Sequence, residues 1–293
     1  MSRDWLSHDD VAWICGIARD CGFAKFKLTG GEPTVRKDLI DVIAGIRAIG
    51  IDDLSMITNG TRLKAMARKL RVAGLPRLNV SLFTLDRKRF KEENGGSSGT
   101  LDLIIDGIDE AIDVGFTDLK FNYVWHHHNR LDDFLSIARF ASERNVTVAV
   151  IPLLDEYGVR TGDERTSLHM IYGALQELGI DNECLVLDGE SIHRRLIRLS
   201  MGATILLRME ELGEIAPYAQ CTLCPKRLEC REGIFPVRLA ANGVLRPCLA
   251  EGRAPVNLYN AIKARDSKGV WHSVSSVAST VQLLGKAGEV IYA

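Results

Sequence analysis

The feature that most constrains this chain is a repeated order of apolar strand, helix and glycine that runs to residue 153. The predicted strands cover 23–28, 54–58, 77–82, 118–125 and 146–153, and the predicted helices after the first cover 36–49, 61–73, about 99–114 and 131–144. Strands that alternate with helices indicate parallel β/α units, closed as a barrel or wound as an open sheet. The sequence therefore predicts an α/β fold.

The first helix carries its own start and stop signals. Ser7 and Asp10 form an S-x-x-D capping box, in which each side chain can accept a bond from a backbone N–H. Gly22 suits the end of this helix. The alternation of strands and helices becomes less regular after residue 166, and a cysteine-bearing region begins at about 212. We therefore divide the chain into a β/α domain, 1–211, and a cysteine-bearing module with its tail, 212–293.

Charge and composition exclude several classes of protein. The formal net charge is −1 and 46% of the residues are apolar, which disfavours a nucleic-acid surface and is ordinary for a globular protein. No run of 18 apolar residues predicts a membrane span, and the polar start is unlike a signal peptide, so we expect a cytoplasmic protein. Four of the seven cysteines fall within 221–248, which in such a compartment indicates metal binding before disulfides.

In β/α folds, ligands bind at the carboxyl ends of the strands. The candidate segments there are 29–33, 58–60, 79–82, 120–122 and 152–155. Glycines in the first segment allow a ligand close to the backbone, and Glu32 is a candidate acceptor for an ammonium group. The alternative for each segment is an ordinary turn.

Several motifs together resemble one enzyme family. The chain carries, in order, KFKLTGGEPTVRKDL, ITNGTRL, RLNVSLFTLD, DGIDEAIDVGFTDLKFN and ANGVLRPCL. This series is similar to the radical S-adenosylmethionine (SAM) enzymes, and most of all to the MoaA-like GTP cyclases of molybdenum-cofactor synthesis. The resemblance implies a partial (β/α)6 barrel that lacks its first strand here, with a small C-terminal iron–sulfur extension.

The resemblance also implies ligand contacts at particular residues. The SAM contacts would be Gly30, Gly31, Glu32, Ser81 and Leu154. The contacts to GTP or a related small molecule would be Lys27, Thr58, Lys120 and Arg238. Lys27 stands where the family has an arginine. Lysine keeps the positive charge of that position but lacks the bidentate fork of the guanidinium group. Phe83 follows NVSL where the family has a carboxylate.

The largest departure from the family lies at the front of the chain. The radical cluster is held there by C-x3-C-x2-C in the loop after the first strand, and only five residues precede Leu6 here. Cys15 and Cys21 have a different spacing and fall in the first helix, where Cys15 is expected to be a buried thiol. We therefore expect a truncated sequence or a degenerate paralogue, and no SAM cleavage by these 293 residues alone.

The second cysteine group matches the family's auxiliary [4Fe–4S] site. Cys221, Cys224 and Cys248 correspond to its three ligands, and the extra Cys230 lies in a longer connection. Three ligands would leave one iron open to substrate, whereas four would close the cluster. A zinc site made by the same four thiolates is the alternative, and Cys184, which stands alone, is expected in the core.

The function implied by the resemblance is a radical rearrangement of GTP toward a cyclic pyranopterin precursor. Its cofactors would be SAM and the C-terminal [4Fe–4S] cluster, with a second [4Fe–4S] cluster only where the N-terminal segment is present. The implied partners are a reductant such as flavodoxin or ferredoxin, and a second copy in a homodimer, with no nucleic acid and no membrane. The alternatives are a paralogue acting on another small molecule or a peptide, and a non-catalytic iron–sulfur or nucleotide-binding protein.

Overall fold

The computed structural model describes residues 5–94, 99–125, 130–152, 168–187, 193–208, 236–246, 255–282 and 288–292. The helices are α1 His8–Asp20, α2 Leu39–Ala48, α3 Leu63–Val72, α4 Arg87–Asn94, α5 Thr100–Asp113, α6 Leu131–Glu143, α7 Leu168–Glu177, α8 Tyr259–Lys263 and α9 Ser267–Gln282, with a 3₁₀ turn at Pro33–Val35. The strands are β1 Phe23–Leu28, β2 Asp53–Thr58, β3 Arg77–Ser81, β4 Asp118–Trp125, β5 Thr147–Pro152, β6 Ile180–Leu187, β7 His193–Leu199, β8 Thr204–Arg208, β9 Pro236–Leu239, β10 Val244–Arg246, β11 Val256–Asn257 and β12 Gly288–Tyr292.

The described strands form one 12-stranded sheet in the order β11-β10-β9-β12-β1-β2-β3-β4-β5-β8-β7-β6. Neighbours from β1 to β5 are all parallel. This confirms the α/β class with a parallel sheet and the five strands expected from the first half of the sequence. The closure of these strands into a partial barrel remains a prediction.

Two parts of the sheet were not expected from the sequence. On one side, β8 lies parallel to β5, and β7 and β6 continue the sheet as antiparallel neighbours. On the other side, β12 lies parallel between β1 and β9. The predicted C-terminal module therefore continues the same sheet through β9, β10 and β12, among the residues that are described.

Strand alternation separates two faces of the parallel sheet. One face is apolar and buried, with side chains that include Leu54, Met56, Leu78, Val80 and Phe121. The other face carries polar residues at the alternate positions, as in the pairs Asn79↔Lys120 and Ser81↔Asn122. The apolar face forms the core with the helices, so the polar face is the one available to a ligand.

Helix α1 begins at the predicted capping box and joins the C-terminal elements. Ser7 N–H donates to Asp10 Oδ2 at 2.8 Å, and Asp10 N–H donates to Ser7 Oγ at 3.2 Å. Asp10 also pairs with Lys263 Nζ at 2.5 Å and with Arg265 at 3.3 Å. One carboxylate thus caps α1 and holds the segment after α8 against it. No helix in the described ranges is long and apolar enough to cross a membrane.

Candidate functional site

The loop after β1 exposes backbone that a ligand can reach. Gly30 has φ +127°, a conformation that side chains other than glycine rarely adopt. Gly31 has no such constraint, and no described atom lies within 4 Å of where its Cβ would stand. Neither backbone strain nor internal packing requires glycine at 31. Open space at this position suits the close approach of a ligand.

Glu32 ties this loop to the loop after β2. Its Oε1 accepts from Thr34 N–H at 3.0 Å, Thr34 Oγ1 at 2.5 Å and Thr58 Oγ1 at 2.7 Å. Its Oε2 accepts from Asn59 N–H at 2.7 Å. The carboxylate predicted to face an ammonium group therefore binds four donors of the protein itself. These bonds hold the loop after β1 and the loop after β2 at a fixed distance from each other.

Thr58 lies on the other side of the sheet from the polar face. It pairs with Val80 in register, it is 1% exposed, and its hydroxyl also accepts from Gly60 N–H at 3.1 Å. The resemblance implied that Thr58 contacts a substrate purine. In the structure its side chain is buried and its hydroxyl joins the loops, and a contact with a purine remains a prediction.

The polar face continues from the loops along β3 and β4. Ser81 is the last residue of β3 and pairs with Asn122 of β4, while Asn79 pairs with Lys120. Because paired residues of parallel strands share a face, these four side chains lie on one face of β3 and β4. Ser81 keeps its predicted place at the carboxyl end of a strand, beside the β1 and β2 ends.

Lys120 lies within its strand and not at the carboxyl end, where the segment 120–122 was expected. The strand runs to Trp125 as predicted, so Lys120 is the third residue of an eight-residue strand. Phe121, Tyr123 and Trp125 alternate as buried residues on the opposite face. Lys120 Nζ lies 3.7 Å from the Asp118 carboxylate and is partly exposed on the polar face.

Two further cations share this face. Lys27 pairs with Ile291 of β12, and the same Ile291 pairs with Arg238 of β9. The register therefore places Lys27 and Arg238 in one row, on one face, about 10 Å apart at the backbone. With Lys120 they make the polar face a candidate surface for an anionic group.

The described residues do not include the predicted cluster ligands. Leu154 and the cysteines at 221, 224, 230 and 248 lie outside the described ranges. Within those ranges no group of three metal-ligating side chains is found. No iron-cluster site is therefore assigned in the described part of the chain.

The three described cysteines fit roles other than metal binding. Cys15 is buried in α1, and burial raises the pKa of its thiol to about 12, as expected for a structural residue. Cys21 ends that helix as its C-cap and is also buried. Cys184, expected in the core, is exposed, because it lies on β6 at the edge of the sheet.

One site feature was missed by sequence reasoning. It is the role of Glu32 as a bond between loops, which depends on contacts 26 and 27 residues away. Asn79 and Asn122 belong to the candidate segments 79–82 and 120–122, and the alternation of polar and apolar residues in RLNVS and DLKFNYVW places both on the polar face.

The fold defines a parallel β/α protein with the candidate loops and Ser81 at the carboxyl ends of β1 to β3. A model of the radical SAM superfamily matches residues 3–141. A probable GTP 3',8-cyclase of Saccharolobus islandicus (strain M.14.25 / Kamchatka #1) is 31% identical over 266 residues, 90% of this chain and 80% of that protein. A probable GTP 3',8-cyclase of Sulfolobus acidocaldarius is 33% identical over 259 residues, 88% and 76% of the two chains.

The chain therefore belongs to the radical SAM superfamily, in the MoaA-like group that contains these homologues. Among solved structures, Streptococcus suis SuiB bound to S-adenosylmethionine has a TM-score of 0.58 at 16% identity, covering 93% of this chain. SuiB bound to its precursor peptide SuiA has a TM-score of 0.59 at 16% identity, covering 94% of this chain. The chain spans 61% of either SuiB chain, and at this identity the likeness concerns the fold alone.

Proposed function

We propose that this protein binds SAM at the Gly30–Glu32 loop and a phosphorylated nucleotide such as GTP on the polar face beside it. The observation that carries the proposal is Gly31, whose surroundings leave room for a ligand at the carboxyl edge of a parallel sheet. SAM bound to a [4Fe–4S] cluster supplies a 5′-deoxyadenosyl radical in this superfamily. The residues described here would bind, orient and shield the ligands.

In this proposal each loop has a separate task. The backbone of Gly30 and Gly31 receives the methionyl group, and Ser81 donates to it from the neighbouring strand end. Glu32 and Thr58 are positioning residues, because their bonds hold the two loops together. A [4Fe–4S] cluster at Cys221, Cys224 and Cys248, with or without Cys230, belongs to the same proposal.

The polyphosphate of the substrate would lie against the cations of the polar face. Lys27, Lys120 and Arg238 supply positive charge from three strands, β1, β4 and β9. Lysine and arginine are the side chains that bind phosphate in proteins, the first as a point charge and the second through its fork. The homologues named as GTP 3',8-cyclases support GTP as the nucleotide and a cyclic pyranopterin precursor as the product.

A paralogue that acts on another small molecule or a peptide is the second candidate. One observation favours it: Thr58, the predicted purine contact, is buried on the opposite face from Lys120. A site that lacks this contact would recognise a purine by other groups or would accept a different substrate. The two candidates share the SAM site and differ in the ligand on the polar face.

The test is equilibrium binding of SAM and GTP to the anaerobically reconstituted full chain, measured by calorimetry. Gly31→Val fills the open space and should weaken SAM binding at least about tenfold, since a substituent there meets the ligand and no protein atom. Lys120→Ala should weaken GTP binding about tenfold and leave SAM binding unchanged.

Gly173→Ala serves as the matched control, because Gly173 of α7 also has open space around its Cβ and lies away from the loops. SAM binding that survives Gly31→Val would refute the SAM site. GTP binding that is unaffected by Lys120→Ala, with SAM binding intact, would favour the second candidate.

A further inference from the structure

A cavity lies at the carboxyl edge of the sheet, next to the end of β9 and outside the candidate SAM and GTP contacts. Its volume is about 630 Å³, and its lining includes Trp5, Asn242, Asn257, Tyr259 and Asn260. The volume falls in the range of sites for small organic ligands, roughly 300–1,000 Å³. None of its lining residues is a residue of the β1 or β2 loop.

Three chain segments meet around this cavity and are held by backbone hydrogen bonds. Leu6 N–H donates to Ala241 O at 2.8 Å, and Leu258 N–H donates to Gly243 O at 2.8 Å. A Cβ at Gly243 would stand 2.8 Å from Tyr259 Cα, so the β9–β10 turn packs directly on the start of α8. The walls are therefore preformed, which reduces the entropy cost of binding.

Three of the lining side chains carry carboxamides, beside the Tyr259 hydroxyl and the Trp5 indole N–H. Asn242 Oδ1 accepts from Val244 N–H at 3.3 Å, and Asn257 Oδ1 accepts from Tyr259 N–H at 3.0 Å. With their oxygens used in this way, the NH₂ groups of these two side chains are left as donors. Asn260 offers a carboxamide that can donate and accept.

Among the described residues, the lining has two aromatic side chains and no charged one. Trp5 is 47% exposed, although an indole ring gains free energy when an apolar or aromatic face covers it. These described residues offer no counter-ion to a phosphate or carboxylate group. The part of a ligand that contacts them should be neutral, with a flat face for the indole and hydrogen-bonding groups along its edge.

We propose that this cavity binds the base of a purine nucleoside, stacked on Trp5 and bonded at its edge by the asparagine carboxamides. Bases that leave a helical stack are recognised by proteins through aromatic stacking and bonds to their edges. An asparagine carboxamide matches the donor and acceptor pair N6–H and N7 of adenine. A purine offers a larger stacking face than a pyrimidine. The proposal does not depend on the function proposed above.

The test is calorimetric titration of the full chain with adenosine and guanosine, without SAM or GTP, because the purine bases of both would compete for the cavity. Trp5→Ala should weaken purine nucleoside binding at least about tenfold, and Asn260→Ala about tenfold. Trp271→Ala is the matched control, because Trp271 is 51% exposed on α9 and does not line the cavity. This variant should bind like the wild type.

Cytidine and the neutral sugar maltose are titrated in parallel. Binding of the purine nucleosides that is lost in Trp5→Ala and Asn260→Ala, but kept in Trp271→Ala, supports the proposal. Binding of maltose without the nucleosides, equal binding by Trp5→Ala, or no saturable binding of either purine nucleoside would overturn it. Thermal unfolding of each variant shows that it is folded.

Discussion

Replacing Glu32 by glutamine tests whether one carboxylate holds the SAM loop in place. The carboxylate accepts four hydrogen bonds at 2.5–3.0 Å, two from backbone N–H groups and two from threonine hydroxyls. Glutamine has nearly the same shape but offers one oxygen and one NH₂ group. In either orientation of its amide, the NH₂ group therefore meets a backbone N–H donor.

The cost follows from this mismatch. The better orientation keeps the oxygen at Thr34 and Thr58 and turns the NH₂ group toward Asn59 N–H, so one bond is lost. Hydrogen bonds to a charged acceptor contribute about 1.5–3 kcal/mol, against about 0.5–1.5 kcal/mol for neutral pairs. One lost bond and three weakened bonds, at a site open to solvent on one side, give about 2–4 kcal/mol. The midpoint of thermal unfolding should fall by about 3–7 °C.

The assay is thermal and urea unfolding of Glu32→Gln, together with SAM binding by calorimetry. Glu143→Gln is the control, since Glu143 is an exposed carboxylate of α6 and such a change costs less than about 0.5 kcal/mol. SAM binding by Glu32→Gln should weaken at temperatures where the variant is still folded. If the variant unfolds at the wild-type midpoint and binds SAM equally well, Glu32 does not hold the loops and the reasoning fails.

Three further outcomes are expected. Burial alone would raise the pKa of Asp10, but hydrogen bonds from Lys263 and Ser7 lower it, so its stabilisation is present above the unfolded pKa and is lost on acidification. Asp10→Ala should cost about 1–3 kcal/mol at pH 7, and urea unfolding at pH 3 should show a smaller difference from the wild type. Gly60→Ala should lower the free energy of unfolding by about 1–3 kcal/mol in the same assay. The reason is that φ at Gly60 is +80° and the new Cβ would lie 3.0 Å from the core residue Ile104. A variant of wild-type stability would contradict this conformation. Iodoacetamide should label Cys184 before Cys15 in the folded protein, as measured by peptide mass spectrometry. The Cys184 thiol is exposed, whereas burial raises the pKa of the Cys15 thiol. Faster labelling of Cys15 would contradict its burial.

Local signals predicted the first half of the fold well. The Ser7–Asp10 capping box and the strands 23–28 and 118–125 appear in the structure as expected, because neighbouring residues determine them. The expected helix 36–49 begins at Leu39, after a 3₁₀ turn that starts at Pro33. Proline suits the first position of such a turn, and Glu32 caps it with a bond to Thr34 N–H.

The errors concern features that depend on distant partners. The pairing of β12 with β1 joins residues 288–292 to residues 23–28, and no local pattern indicates it. Cys184 was expected in the core because its strand was not recognised, and the exposure of a strand residue depends on whether another strand covers it. The position of Thr58 on the buried face depends on the register of β2 with its neighbours. A shift of that register by one residue would move the side chain to the other face of the sheet.

The bond between Glu32 and Thr58 changes how two sequence motifs should be interpreted. TGGEP and TNG resemble two separate binding elements, one for SAM and one for a purine. In the structure a single carboxylate accepts from the threonine of the second motif and from the N–H of the asparagine that follows it. The two motifs therefore occur together for a structural reason, whatever substrate is bound. In this arrangement side chains of both motifs join the loops, and the backbone at Gly30 and Gly31 is left exposed. The bond to Glu32 is thus sufficient reason for the threonine of TNG, so that motif alone does not indicate a purine site.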